Sequence, residues 1–204
     1  MKQSRRTKVL LSLAVGLLAL VLLQSCAPAK TAAKTVVSGP PAYTLPANLA
    51  AQLKQGGFAI AATPFVPDDF TLASLDGSRR SLTSYKGNVV LLSFWATWCG
   101  PCKEELPSIQ ALYDKLSKKG FVVLAVDIGE DKEKVAHFVK NHNLTFPVLL
   151  DGDVRVGSSY GASSIPTNYL VDRQGRIIAR IVGYDGSEWT SAERLDLFDK
   201  ILQM

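Results

Sequence analysis

Histidine, cysteine and methionine are scarce in this chain, with 2 His, 3 Cys and 2 Met among 204 residues. That scarcity removes most metal chemistry. A structural zinc site takes four Cys or His ligands, so one Cys pair must be joined by a second pair or by two suitably spaced His. Here only Cys99 and Cys102 are spaced as a pair, and His137 and His142 lie five apart on a stretch that reads as a surface helix. Haem attachment needs His directly after the second Cys, and Lys103 stands there. No Met-rich or His-rich tract is present to favour a copper carrier. Bilayer-length apolar runs are lacking too. Spanning takes about 20 apolar residues, and the run from Val9 to Leu23 is shorter and broken by Ser12 and Gly16. Excess charge is equally shallow. The formal net charge of +5 is concentrated in Lys2, Arg5, Arg6 and Lys8, and the remainder of the chain is near +1. Nothing electrostatic points to nucleic acid. No internal repeat is evident.

What is present begins with that basic segment, which carries no acid before the apolar run. The pattern predicts an export signal. Leu23-Gln24-Ser25-Cys26 resembles the bacterial lipobox, with a small residue just before Cys. The resemblance implies a signal peptide over residues 1–25 and a lipid on Cys26 as the first residue of the mature chain. An uncleaved anchor, or a cut elsewhere, places the domain outside the cytoplasm equally well. The odd cysteine is then spent on lipid. From Ala27 to about Leu45 the chain is rich in Ala, Pro, Thr and Ser without apolar periodicity, and reads as a tether. Pro46, the Leu49/Leu53 pair and Gly56-Gly57 predict a short helix over about 47–55. The tether with its helix is expected to occupy 26–64, and one folded domain 65–204.

The chemistry centres on Trp95-Ala96-Thr97-Trp98-Cys99-Gly100-Pro101-Cys102. The apolar run Val89 to Phe94 before it reads as a strand buried on both faces. The apolar stripe Leu106, Ile109, Leu112, Tyr113, Leu116 after it reads as a helix. Cys99 is thus expected at a helix N-terminus, where unpaired N–H groups and the helix dipole favour a thiolate and lower a thiol pKa from about 8.5 to about 3.5–7.5. Cys102, one turn on, can close a disulfide with it. This Trp-Cys-Gly-Pro-Cys after a buried strand resembles the thioredoxin active site.

The rest of the chain alternates strand and helix. A hairpin is expected from Phe70–Leu72 to Arg80–Leu82 across Asp76-Gly77. Strands are expected at 89–95, 121–128, 147–150, 167–171 and 176–182. Helices are expected up to about Lys118, over 131–142, near 154–160 and over 191–202. Together they predict an α/β thioredoxin-like mixed sheet with helices on both faces and an N-terminal hairpin extension.

Pro67-Asp68-Asp69-Phe70-Thr71-Leu72 followed by Leu75-Asp76-Gly77 resembles the opening of the alkyl hydroperoxide reductase/thiol-specific antioxidant (AhpC/TSA) superfamily. The segment from Pro67 to about Ile201 is similar to its TlpA/ResA-like branch. Lys86-Gly87-Asn88, and an insertion between strands that carries Glu130, fit that branch better than thioredoxin itself. The resemblance implies that Ser164-Ile165-Pro166-Thr167 is the cis-Pro loop facing the dithiol. It also implies that Glu130 tunes the dithiol. Thioredoxins place a buried Asp where this chain has Ser93, so Glu130 is expected to accept the Cys102 proton; a solvated Glu opening the next helix is the plainer reading.

The function expected is protein-disulfide reduction by an extracytoplasmic lipoprotein in the bacterial cell envelope, acting as a monomer. Cys99 is the nucleophile, Cys102 the resolving thiol, and Trp98, Gly100, Pro101, Ile165 and Pro166 the surrounding shell. The redox-active disulfide itself is the only cofactor expected, with no metal. The family implies a membrane thiol carrier as donor and apocytochrome c or a copper-site protein as client. Ile165 and Thr167, rather than an acid, flank Pro166, a departure from many haem-maturation members. A peroxiredoxin is the alternative enzyme, but its Thr three residues before the Cys is replaced by Ala96. A copper-binding assembly factor using Cys99 and Cys102 as soft ligands is the non-enzymatic alternative.

Overall fold

The computed structural model describes residues 43–204. The expected signal peptide, Cys26 and most of the expected tether lie outside the described residues. Eight strands form one mixed sheet: β1 (Ala59–Phe65), β2 (Thr71–Ser74), β3 (Arg79–Ser81), β4 (Val89–Trp95), β5 (Phe121–Ile128), β6 (Val148–Asp151), β7 (Thr167–Val171) and β8 (Ile177–Val182), in the order β1-β8-β7-β4-β5-β6-β2-β3. The helices are α1 (Ala47–Gln55), α2 (Gly100–Leu116), α3 (Lys132–Asn141), α4 (Arg155–Ser159) and α5 (Ala192–Leu202).

β4, β5 and β6 run parallel, and every residue of β4 is buried. A strand covered on both faces needs apolar residues on both, which is why Val89–Trp95 carries no alternation, with Ser93 its single polar residue. Val89, Leu91 and Trp95 pack on one side of the sheet with Leu53 of α1, Leu106 and Ile109 of α2, Val135 of α3 and Phe198 of α5. Val90, Leu92 and Phe94 pack on the other side with Phe70, Leu82 and Tyr169, and with Val156 and Tyr160 around α4. Helices therefore cover both faces, but unevenly: four lie on one side, and α4 with a 3₁₀ turn at Thr83–Tyr85 on the other.

The expected hairpin forms as β2 and β3, with Gly77 at φ +85 in its turn. One strand was not expected. β1 pairs antiparallel with β8 at the sheet edge. Ala59-Ile60-Ala61-Ala62-Thr63-Pro64-Phe65 has weak strand propensity and a proline, which only an edge strand tolerates. The helix at 47–55 is present, and Leu49 and Leu53 are buried in the same core as α2 and α5. Through Leu49 and Leu53 of α1 and the pairing of β1 with β8, the described residues before 65 belong to the same folded body as those after it.

Candidate active site

The site forms where β4 and β5 end and β7 begins. β7 runs antiparallel to β4 and pairs Thr167 with Phe94, which brings the residues before β7 next to those after β4. The Ile165–Pro166 peptide bond is cis. Ile165 presents its carbonyl oxygen 3.7 Å from Cys99 Sγ, and Gly183 N–H donates to Pro166 O at 2.8 Å. The dithiol and the cis-Pro loop, 66 residues apart in sequence, thus face each other.

Cys99 is the N-cap of α2, and the Cys102 N–H donates to its sulfur at 3.2 Å. The sulfur occupies the place that an Asp or Ser oxygen takes at ordinary helix starts and satisfies one of the orphan donors there. Cys99 and Cys102 are joined as a disulfide. Pro101 stands in the first turn, where its missing N–H costs nothing. A side chain at Gly100 would meet no neighbour, so this face of the loop is open. Trp98 is 63% exposed beside it, whereas Cys99 is 5% and Cys102 1% exposed. The outer sulfur is therefore the one a macromolecule reaches first.

Glu130 follows β5, after a turn made by Gly129 at φ +75. Its side chain is 3% exposed and faces the loop preceding Cys99. One carboxylate oxygen accepts the Thr97 N–H at 2.5 Å, and the other accepts the Thr97 hydroxyl at 2.7 Å and pairs with Lys134 Nζ at 2.6 Å. Burial pushes its pKa up, but Lys134 and the two Thr97 bonds outweigh this and hold the carboxyl below its usual range. Glu130 is consequently ionised at neutral pH, and it pins the residue two before Cys99.

Two further carboxyl groups were missed by sequence reasoning. Glu105, one helical turn after Cys102, is buried and accepts both Asn168 Nδ2 at 2.8 Å and Trp189 Nε1 at 2.9 Å. Burial pushes its pKa up to about 7 against those two bonds. It links the dithiol helix to the strand that follows Pro166. A signal was available, because Glu105 follows Cys102 by three and precedes Ile109 by four and so shares their buried stripe. Asp127, the penultimate residue of β5, pairs in register with Trp95 and is wholly buried. Burial, then the neighbouring Glu130, push its pKa up to about 8.

Residues 65–180 match the AhpC/TSA family model. The thiol-disulfide oxidoreductase ResA of Geobacillus thermodenitrificans is 38% identical over 141 residues, covering 69% of this chain and 78% of the relative. Among solved structures, StoA of Bacillus subtilis is 31% identical with a TM-score of 0.54, covering 65% of this chain and 98% of that one. The thioredoxin domain of a thiol-disulfide oxidoreductase from Bacteroides vulgatus is 26% identical with a TM-score of 0.60, covering 70% and 99%.

Proposed function

The chain belongs to the AhpC/TSA family as a ResA-like thiol–disulfide oxidoreductase, and from that premise we propose that it is a membrane-tethered extracytoplasmic reductase of client-protein disulfides. The observation that carries the reading is the Cys102 N–H directed at Cys99 Sγ beneath an open loop face. In the reduced protein this donor stabilises a Cys99 thiolate. The thiolate attacks one sulfur of the client disulfide, the other client sulfur leaves as a thiolate, and a Cys99–client mixed disulfide forms. Cys102 then loses its proton and attacks Cys99 Sγ, which releases the reduced client and closes the Cys99–Cys102 disulfide. Glu130, ionised and held against the loop, is the proposed acceptor of the Cys102 proton. Trp98, Ile165 and Pro166 form the lip on which the client chain lies, beside Gly100 and Pro101. A membrane thiol carrier returns the protein to the dithiol state, and the lipid on Cys26 keeps it within reach of that carrier. The clients fitting this chemistry are envelope proteins whose cysteines must be free for later ligation, such as apocytochrome c or a copper-site protein.

Direction is the testable core. The Gly100-Pro101 dipeptide and the nearby Glu130 charge both oppose extreme stabilisation of the thiolate. The expected potential lies below about −220 mV, towards the thioredoxin value of about −270 mV. Equilibration of the protein with glutathione and dithiothreitol buffers measures it. A value close to that of the oxidant DsbA, about −120 mV, would overturn the reductase reading in favour of disulfide formation.

A further inference from the structure

Asp127 is a buried carboxyl group with nothing to neutralise it. Its side chain is wholly buried at the end of β5, and neither oxygen meets a donor. Its strand partners, Trp95 on β4 and Leu150 on β6, carry no charge. The charged groups acting on it are Glu130 from the loop after β5, Lys134 from α3 and Asp151 from the end of β6. Lys134 is already committed to Glu130. Phe138 of α3 packs against Trp95, and His142 stacks on Phe138.

After burial, the side chain that acts most strongly on Asp127 is Glu130, three residues on. Two carboxylates are both acceptors, so they can bond only when one of them holds a proton. Glu130 is the member bonded to Lys134, to the Thr97 N–H and to the Thr97 hydroxyl, all of which favour its charged form. Asp127 has no such partner, and an unpaired buried charge is so costly that the group takes up a proton instead. We propose that Asp127 holds a proton at neutral pH and donates it to Glu130, forming a carboxylic acid–carboxylate pair that locks Thr97 and so positions Cys99. Asp127 is a positioning residue: it acts on the dithiol through Glu130 and Thr97.

The pair has a built-in pH limit. When the Asp127 proton is lost to the solvent, two negative charges face each other in a buried site. The Glu130 carboxylate is then repelled, and its hold on Thr97 slackens. The loop before the redox cysteine is in this way held by a protonation state as well as by packing. The inference rests on the placement of Glu130 and is independent of which client is reduced.

The test uses the full chain in its disulfide form, where neither thiol titrates. With ¹³C-carboxyl-labelled aspartate, one resonance should titrate near pH 8, far above the ordinary aspartate value of about 3.9. That resonance should vanish in Asp127→Asn, which keeps an N–H donor for Glu130 but cannot ionise. In the wild-type protein, hydrogen-exchange protection of the Thr97 amide, corrected for intrinsic base catalysis, should fall at least tenfold across the same titration. In the Asn variant it should stay flat. An Asp127 carboxyl already ionised at pH 6 would overturn the proposal, as would Thr97 protection indifferent to the titration. The wild-type titration decides the matter even if the variant fails to fold. Reduction of a protein disulfide at pH 7 by the wild-type chain first brought to its dithiol form with dithiothreitol and freed of it, measured alongside, keeps a failure of this inference distinct from a failure of the reductase reading.

Discussion

Cys99 and Cys102 differ by one turn of helix and by what reaches their sulfurs. Cys99 Sγ takes a backbone N–H at the positive end of α2, while Cys102 lies beneath it, 1% exposed. In the reduced protein, iodoacetamide at pH 7 should therefore modify Cys99 at least tenfold faster than Cys102, as peptide mapping would read. Equal rates, or faster labelling of Cys102, would reverse the assigned roles. Glu105 makes a separate prediction, because burial raises its pKa to about 7 from 4.5. Between those values the folded state binds a proton that the unfolded chain has lost. The stability linked to Glu105 is therefore complete at acid pH and is lost as the pH rises through about 7. Urea unfolding of the disulfide form should show the wild-type protein losing more stability from pH 5 to 8.5 than Glu105→Gln does. The difference should be on the order of 2–3 kcal/mol, since each tenfold change in proton affinity is worth about 1.4 kcal/mol. Gln keeps an oxygen for Trp189 and Asn168, so equal pH slopes would mean that Glu105 is ionised throughout.

At the scale of elements, β1 is the addition to the plan that the strand and helix patterns indicate, and α1, expected as a short helix, packs into the core of the domain. α1 supplies Leu49 and Leu53 to the main core, and Phe58 after it meets Trp189 edge-on at 5.9 Å between ring centroids. Leu53→Ala should cost about 2–5 kcal/mol in equilibrium unfolding, the usual range for a fully buried leucine. A midpoint unchanged within error would return α1 to a loosely attached segment of the tether. The element carrying the dithiol was legible because its signals are local. A continuous apolar run, a Cys-x-x-Cys and a 3.6-residue stripe each follow from neighbouring residues. β1 was not legible, because Ala59–Phe65 is a strand only by virtue of the free edge that β8 offers it.

At the scale of the molecule, the folded body and its attachment are separate questions. Among the described residues no helix is long and apolar enough to cross a membrane. The proposed attachment rests on the N-terminal segment and Cys26 as read from the sequence. Cys26→Ser should abolish metabolic labelling by a fatty-acid probe and move the protein from the membrane to the soluble envelope fraction, or leave it uncleaved. Recovery of a mature N-terminus other than residue 26 from the wild-type protein would remove the lipid anchor. The domain's fold would be unaffected. What the sequence determined alone is whatever depends on short-range order: the strand–dithiol–helix unit, the proline before β7, and the alternation of strands and helices that makes a mixed sheet. Tertiary structure decided what depends on which ends meet. Antiparallel pairing of β7 with β4 set the Ile165 carbonyl against Cys99. Parallel pairing of β4 with β5 set Asp127 beside Trp95 and brought Glu130 to Thr97. A carboxyl group's protonation depends on burial and on its partners. Only the folded chain therefore distinguishes Glu130, charged and bonded to Thr97, from Asp127 and Glu105, buried and pushed towards the protonated form.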